Sequence, residues 1–96
     1  DDDAELDRRI QENHQARTLF SQALISWGLN FVPSHTNFVF VYFKNPQEVF
    51  EALLEQGIIV RNFAHASALR IGIGTLEDTG RLIDAFEKLR EQGIIS

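Results

Sequence analysis

Apolar residues recur at helical spacing through the first quarter of the chain. Leu6, Ile10, Asn13, Arg17, Phe20, Leu24 and Trp27 follow one another at intervals of 4, 3, 4, 3, 4 and 3, which lays them along one stripe of an α-helix. Two positions in that stripe, Asn13 and Arg17, are polar. Either the middle of the stripe faces solvent or a polar partner, or these side chains meet another domain along a long interdomain helix over residues 1–28. Asp1, Asp2, Asp3, Glu5 and Asp7 crowd the start of this helix, where the macrodipole favours negative charge. Gly28 supplies a left-handed stop.

A turn-rich approach, Val32-Pro33-Ser34-His35-Thr36-Asn37, leads into Phe38–Phe43. Six consecutive β-formers bounded by breakers predict a strand that is apolar on both faces. The second face of that strand then needs a cover, supplied either by the long first helix or by a partner outside the chain. Asn45-Pro46-Gln47-Glu48 predicts the next helix, with Asn as N-cap, Pro at the first position and Glu at the third. Val49, Phe50, Leu53 and Leu54 form its buried face, and Gly57 ends it.

Ile58–Val60 and Leu69–Ile73 read as a β-hairpin. Thr75 with Asp78 three residues on opens a third helix, whose stripe is Leu82, Ile83, Phe86 and Leu89 and whose end is Gly93. The endings LLEQGII (53–59) and LREQGII (89–95) are nearly identical; local convergence on a good helix exit explains this without duplication. The elements predict an α+β two-layer sandwich, a small, mainly antiparallel sheet packed by helices in the order α-β-α-β-β-α. A last strand at Ile94–Ile95 would bring it towards a ferredoxin-like βαββαβ arrangement preceded by a helix.

Ninety-six residues, 44% of them hydrophobic, make one domain with a modest core. A net charge of −5, with only nine scattered Lys and Arg, argues against nucleic acid, which needs a basic stripe. The absence of cysteine excludes disulfides and thiolate metal sites. No apolar run approaches the ~20 residues that span a bilayer, and no signal-peptide pattern opens the chain, so no membrane role and a cytoplasmic location are expected. The chain opens on Asp1 and holds no methionine, which suggests a piece of a longer protein.

Candidate chemistry gathers in residues 58–75. A hairpin there would put Arg61 and Arg70 close together at one sheet edge, as a fork able to clamp a carboxylate or phosphate. Leu69, Ile71 and Ile73 point to one face of their strand, and Arg70, Gly72 and Gly74 to the other. That second face is an arginine followed by a flat glycine track which a ligand or backbone can approach. The plainer alternative is an arginine salt-bridged to one of the fourteen acidic residues, with the glycines at a bulge. Gly72-Ile73-Gly74-Thr75 lacks the dinucleotide-loop spacing, and Glu77 and Asp78 would repel a phosphate at the helix start. His14, His35 and His65 show no metal-ligand spacing, and Lys44 and Lys88, the only lysines, sit where solvent-facing charges are expected.

Taken in order, several landmarks carry a resemblance. They are Asn13-x3-Arg17, Gly28-Leu29, Pro33-Ser34-x-x-Asn37-Phe38-Val39-Phe40, Gly57-Ile58-Ile59-Val60-Arg61 and Leu69-Arg70-Ile71-Gly72-Ile73-Gly74-Thr75-x-Glu77-Asp78. Over nearly the whole chain this order resembles the C-terminal small domain of histidinol-phosphate aminotransferases, fold-type I pyridoxal-phosphate enzymes of histidine biosynthesis. The resemblance implies that Arg70 holds the substrate's phosphate or carboxylate and that Arg61 assists. It implies a large cofactor-binding domain upstream as partner, with the Schiff-base lysine and the other pyridoxal phosphate contacts there and none on this chain. The intact enzyme would be a homodimer acting on a small phosphorylated or acidic amino donor, and the isolated chain would be inactive. Eight residues separate Arg61 from Arg70, short for this family's loop, which leaves the substrate open. Two other readings remain: a free-standing ferredoxin-like module that binds a small acidic metabolite for regulation, or a dimerisation domain that hides the 38–43 strand.

Overall fold

The repeated LLEQGII and LREQGII segments fold into the same helix ending. Gly57 and Gly93 adopt left-handed φ values of +80° and +76°. Their N–H groups donate to the carbonyls of Leu54 and Arg90, and those of Ile58 and Ile94 to Leu53 and Leu89, each at 2.9 or 3.0 Å. This is the paired closure of a Schellman motif, which satisfies carbonyls that a helix end would otherwise leave open. Leu53 and Leu89 are fully buried, and Ile58 and Ile94 pack against the same core.

The computed structural model describes residues 2–35 and 37–95. Along them run α1 (Asp2–Ser26), β1 (Phe31–His35), β2 (Phe38–Tyr42), α2 (Pro46–Glu55), β3 (Arg61–Phe63), β4 (Ala68–Gly72) and α3 (Leu76–Glu91), with a 3₁₀ turn at Ala64–Ala66 before β4. The sheet order is β1-β2-β4-β3 and every pairing is antiparallel. The helices cover one face, so the α+β two-layer class stands. Asp1 of the acidic run, Thr36 of the expected turn, and Ser96 lie outside the described residues.

Several sequence expectations need correction, among them Leu54, placed on the buried face of α2 but 48% exposed, and one left open, a last strand at Ile94–Ile95, is decided. Residues 31–35 form a strand rather than a turn. Pro33 is tolerated there because β1 is an edge strand. Tyr42 N–H donates to the Asn30 carbonyl at 2.9 Å, so with the observed register Pro33 falls on a rung that needs no N–H towards β2. The strand expected at Ile58–Val60 begins at Arg61, because Ile58 is used to close α2. Ile94 is used likewise for α3, so residues 94–95 form no strand and the ferredoxin-like order is not completed. Asn45 precedes α2 but does not cap it with its side chain; its amide donates instead to the Ile94 carbonyl, at 2.9 Å, and to Glu48, at 2.6 Å.

The inner sheet face presents Val39, Val41, Leu69 and Ile71 to Phe20, Leu24, Val49, Leu53, Leu82 and Leu89 of the helices. Phe86 is the hub. Its ring stacks on Trp27 (centroids 5.3 Å apart) and meets the edge of Phe20 at 5.6 Å, arrangements that aromatic quadrupoles favour. The buried stripe of α1 starts at Ala16. Leu6 and Ile10 are 55% and 59% exposed, so the first turns of the helix project beyond the sheet. No helix of the described residues is long and apolar enough to cross a membrane.

Candidate anion site

Strand alternation and register assemble the open face of the sheet. Arg61 is the cross-strand partner of Arg70, and Arg70 in turn pairs with Phe40. Gly72 stands opposite Phe38, and Ala68 lies between Tyr42 and Phe63. Period-two geometry puts all of these side chains on the face that the helices leave uncovered. The FVFVYF strand is therefore apolar on both sides, as its sequence implied, and α1 does not cover its outer side.

Each guanidinium rests on an aromatic ring. The Arg70 Cζ lies 4.3 Å from the Phe38 centroid, and the Arg61 Cζ lies 5.6 Å from that of Phe63. Phe40 and Phe63 meet edge to face at 5.5 Å, so aromatic rings make up much of this face beneath the arginines. Arg70 leans towards the Gly72 end of β4, and Arg61 towards the Ala68 end. Among the described residues, neither arginine has a carboxylate within ion-pair distance. The salt-bridge alternative is thus not what the fold contains. Like charges directly opposite one another on a sheet are destabilising, whereas cation–π contacts offset part of that cost.

Sequence reasoning brought Arg61 and Arg70 together but missed the floor beneath them. The alternation of Phe38, Phe40 and Tyr42 was the available signal. Its use needed the β2–β4 register, which residue spacing alone does not fix.

The glycines have separate reasons. A Cβ at Gly72 would meet nothing nearer than the Asn37 carbonyl oxygen at 4.0 Å, whereas one at Gly74 would lie 2.9 Å from Asp78 Oδ2. Gly74 therefore makes room for the start of α3 rather than for a ligand. There Thr75 Oγ1 accepts from the Asp78 N–H at 3.0 Å, the expected cap. The Asp78 carboxylate is bound by Arg81, and that guanidinium, with help from Thr75, holds its pKa below the usual value. Glu12 of α1 accepts from the Leu76 N–H at 3.2 Å. The helix start is occupied by carboxylates, which removes it as a phosphate site.

The remaining candidates stand apart. His14 on α1 and His65 before β4 are exposed, and the His65 ring touches Phe63 (6.1 Å between centroids); His35 lies in β1 rather than in a turn. Lys44 follows β2 and Lys88 lies on α3, both exposed.

Residues 1–86 match the family model for aminotransferase class I and II. The chain is 33% identical over 92 residues to the histidinol-phosphate aminotransferase of Campylobacter lari, covering 92% of this chain and 25% of that protein. It is 37% identical over 87 residues to the Bacillus subtilis enzyme of the same name, covering 86% of this chain and 24% of that one. The chain thus spans about a quarter of the length of the curated relatives it matches. A Burkholderia pseudomallei structure assigned as an aminotransferase aligns over 92% of this chain and 28% of its own, with a TM-score of 0.81 and 28% identity. An Erwinia carotovora structure assigned as a histidinol-phosphate aminotransferase shares the fold, with a TM-score of 0.78 at 23% identity over 88% of this chain and 25% of its own.

Proposed function

The chain belongs to the aminotransferase class I and II family, and on that premise we propose that it is the C-terminal small domain of a longer pyridoxal-phosphate-dependent enzyme acting on histidinol phosphate or a related acidic amino donor. Arg70, assisted by Arg61, receives the donor's phosphate or carboxylate. The uncovered sheet face, with Phe38, Phe40 and Tyr42, and the projecting start of α1, with Leu6 and Ile10, turn towards the large domain.

One observation carries this reading: two directly paired arginines, held on aromatic rings, lack a carboxylate among the described residues. Such a pair is unfavourable by itself, and an anion held at Arg70 offsets the repulsion. Its planar donors suit the two oxygens of a carboxylate or the three of a phosphate.

Pyridoxal phosphate, when bound, carries the amino group between substrates. Its contacts belong to the large domain on this reading; Lys44 and Lys88, the lysines of this chain, are both exposed. What the chain contributes is orientation: an acidic group fixed at Arg70 holds the rest of the donor at a set distance and angle. By itself the chain is inactive.

Arg70→Ala in the intact enzyme tests the assignment. Loss of a charged hydrogen-bonding partner is expected to raise the KM for the amino donor about 10- to 100-fold, while cofactor content and absorbance stay unchanged. Equal loss of cofactor and substrate binding would overturn it.

A further inference from the structure

Asn13 uses its whole amide within the chain. Its Nδ2 donates to Asn37 Oδ1 at 3.4 Å and to the Ile73 carbonyl at 3.3 Å, and its Oδ1 accepts from Arg17 Nε at 3.2 Å. Asn37 immediately precedes Phe38, and Ile73 immediately follows Gly72. These two backbones are also joined directly, by the Ile73 N–H donating to the Asn37 carbonyl at 2.7 Å. The rung they close is Phe38–Gly72, the one that carries the ring under Arg70.

We propose that Asn13, braced by Arg17, is a positioning residue for the anion site: a side chain of α1 fixes the Phe38 platform and, through it, the Arg70 head. The inference rests on the reading of Arg70 given above. The tie acts at the end of the β2–β4 ladder. On its other side Phe38 pairs with His35 across a break in the β1 register between Pro33 and His35, so the Asn13 bonds add a helix-borne tie to a strand start where the ladder is irregular. An arginine head keeps its direction only while the surface it lies on is fixed, because its own rotamer freedom is large. Small displacements of a binding group are amplified in turnover. The polar interruption of the α1 stripe is thereby explained: Asn13 and Arg17 interrupt the apolar seam where the helix passes the sheet end that supports the site.

The test is a double-mutant cycle in the intact enzyme, reading the KM for the amino donor, the Ki for inorganic phosphate, and kcat. Asn13→Ala is expected to raise KM and Ki about 3- to 10-fold, with kcat within about twofold. In an Arg70→Ala background the same change is expected to have no further effect, since the group it positions is gone. Asn37→Ala removes one of the same bonds from an exposed position of the hairpin and is expected to reproduce part of the effect without threatening the fold. Unchanged KM and Ki in both variants, or an equal rise in both Arg70 backgrounds, would overturn the proposal by leaving Asn13 a purely structural residue. Arg70→Ala alone separates the two claims. If it leaves KM and Ki unchanged, the anion reading falls and this one with it. If it raises them and Asn13→Ala does not, only the role of Asn13 falls.

Discussion

Arg70 sits over Phe38, its guanidinium carbon 4.3 Å from the ring centroid, although the residue directly opposite Phe38 on β4 is Gly72. The arginine head therefore lies diagonally across the sheet, towards the strand end where β4 carries a glycine. This contact fixes the direction of Arg70, the less exposed of the two arginines. A cation over a ring contributes about 0.5–1 kcal/mol at an exposed site and more where water is excluded. Phe38→Leu keeps an apolar residue in the strand but removes the ring's negative face. We expect the KM for the amino donor in the intact enzyme to rise about 2- to 5-fold, with kcat little changed; an unchanged KM would show that the stacking is incidental.

Gly72 supplies the converse test. Its φ is not in the left-handed region, and an added Cβ would have 4.0 Å to the nearest atom. Backbone conformation therefore does not demand glycine, and a β-branched residue suits a strand. Gly72→Val is expected to leave the denaturant midpoint of the chain unchanged or raised, and to raise the KM for the amino donor in the intact enzyme by crowding the Arg70 head. A fall in stability with no change in KM would mean that the glycine serves the fold and not the site.

How much of this was legible before the fold was known depends on how local the signal was. Thr75 with Asp78, and Leu-x-Glu-Gln-Gly at the ends of α2 and α3, specify their structures within a few residues and read correctly. The pairing of Arg61 with Arg70 also came through, because a short loop leaves few registers. Pro33 hid β1, since its tolerance depends on lying at a sheet edge, which no local pattern states. Ile58 misled for the opposite reason: a β-branched residue after a glycine suits both a strand and the apolar closure of a helix cap, and the buried Leu53 decided for the cap. Phe38 and Phe40 were read as a strand core needing a cover. Their service as a floor for the arginines became visible only with the β2–β4 register.

The start of α3 gives a pH dependence with a definite sign. Arg81, followed by the contacts from Thr75, holds the Asp78 carboxyl below its ordinary pKa of 3.8. A group whose pKa is depressed on folding binds its proton more readily in the unfolded chain. Its contribution is thus complete above the unfolded value and is lost as pH falls through the folded one. The chain should therefore lose stability below about pH 4 partly through Asp78. Asp78→Asn is expected to be less stable than the parent at pH 7 and to show a shallower decline on acidification, read from urea midpoints across pH 2–7. Parallel curves for the two proteins would remove Asp78 from the acid response.

Arg61 offers the sharpest separation of fold from function, because its two expected effects have opposite signs. It stands directly opposite Arg70, is the more exposed of the two, and lies farther from its ring, at 5.6 Å. Directly opposed like charges on a sheet disfavour folding, and salt screens exposed charges of this kind. Arg61→Ala should therefore stabilise the chain slightly at low ionic strength, with the gain shrinking as salt is added. In the intact enzyme the same change should weaken amino-donor binding, by less than Arg70→Ala does, since the Arg61 head leans away from Phe38. A group that destabilises the fold while aiding the ligand is what a binding site requires of it. If Arg61→Ala instead lowers stability and leaves KM untouched, Arg61 is a structural residue and Arg70 acts alone.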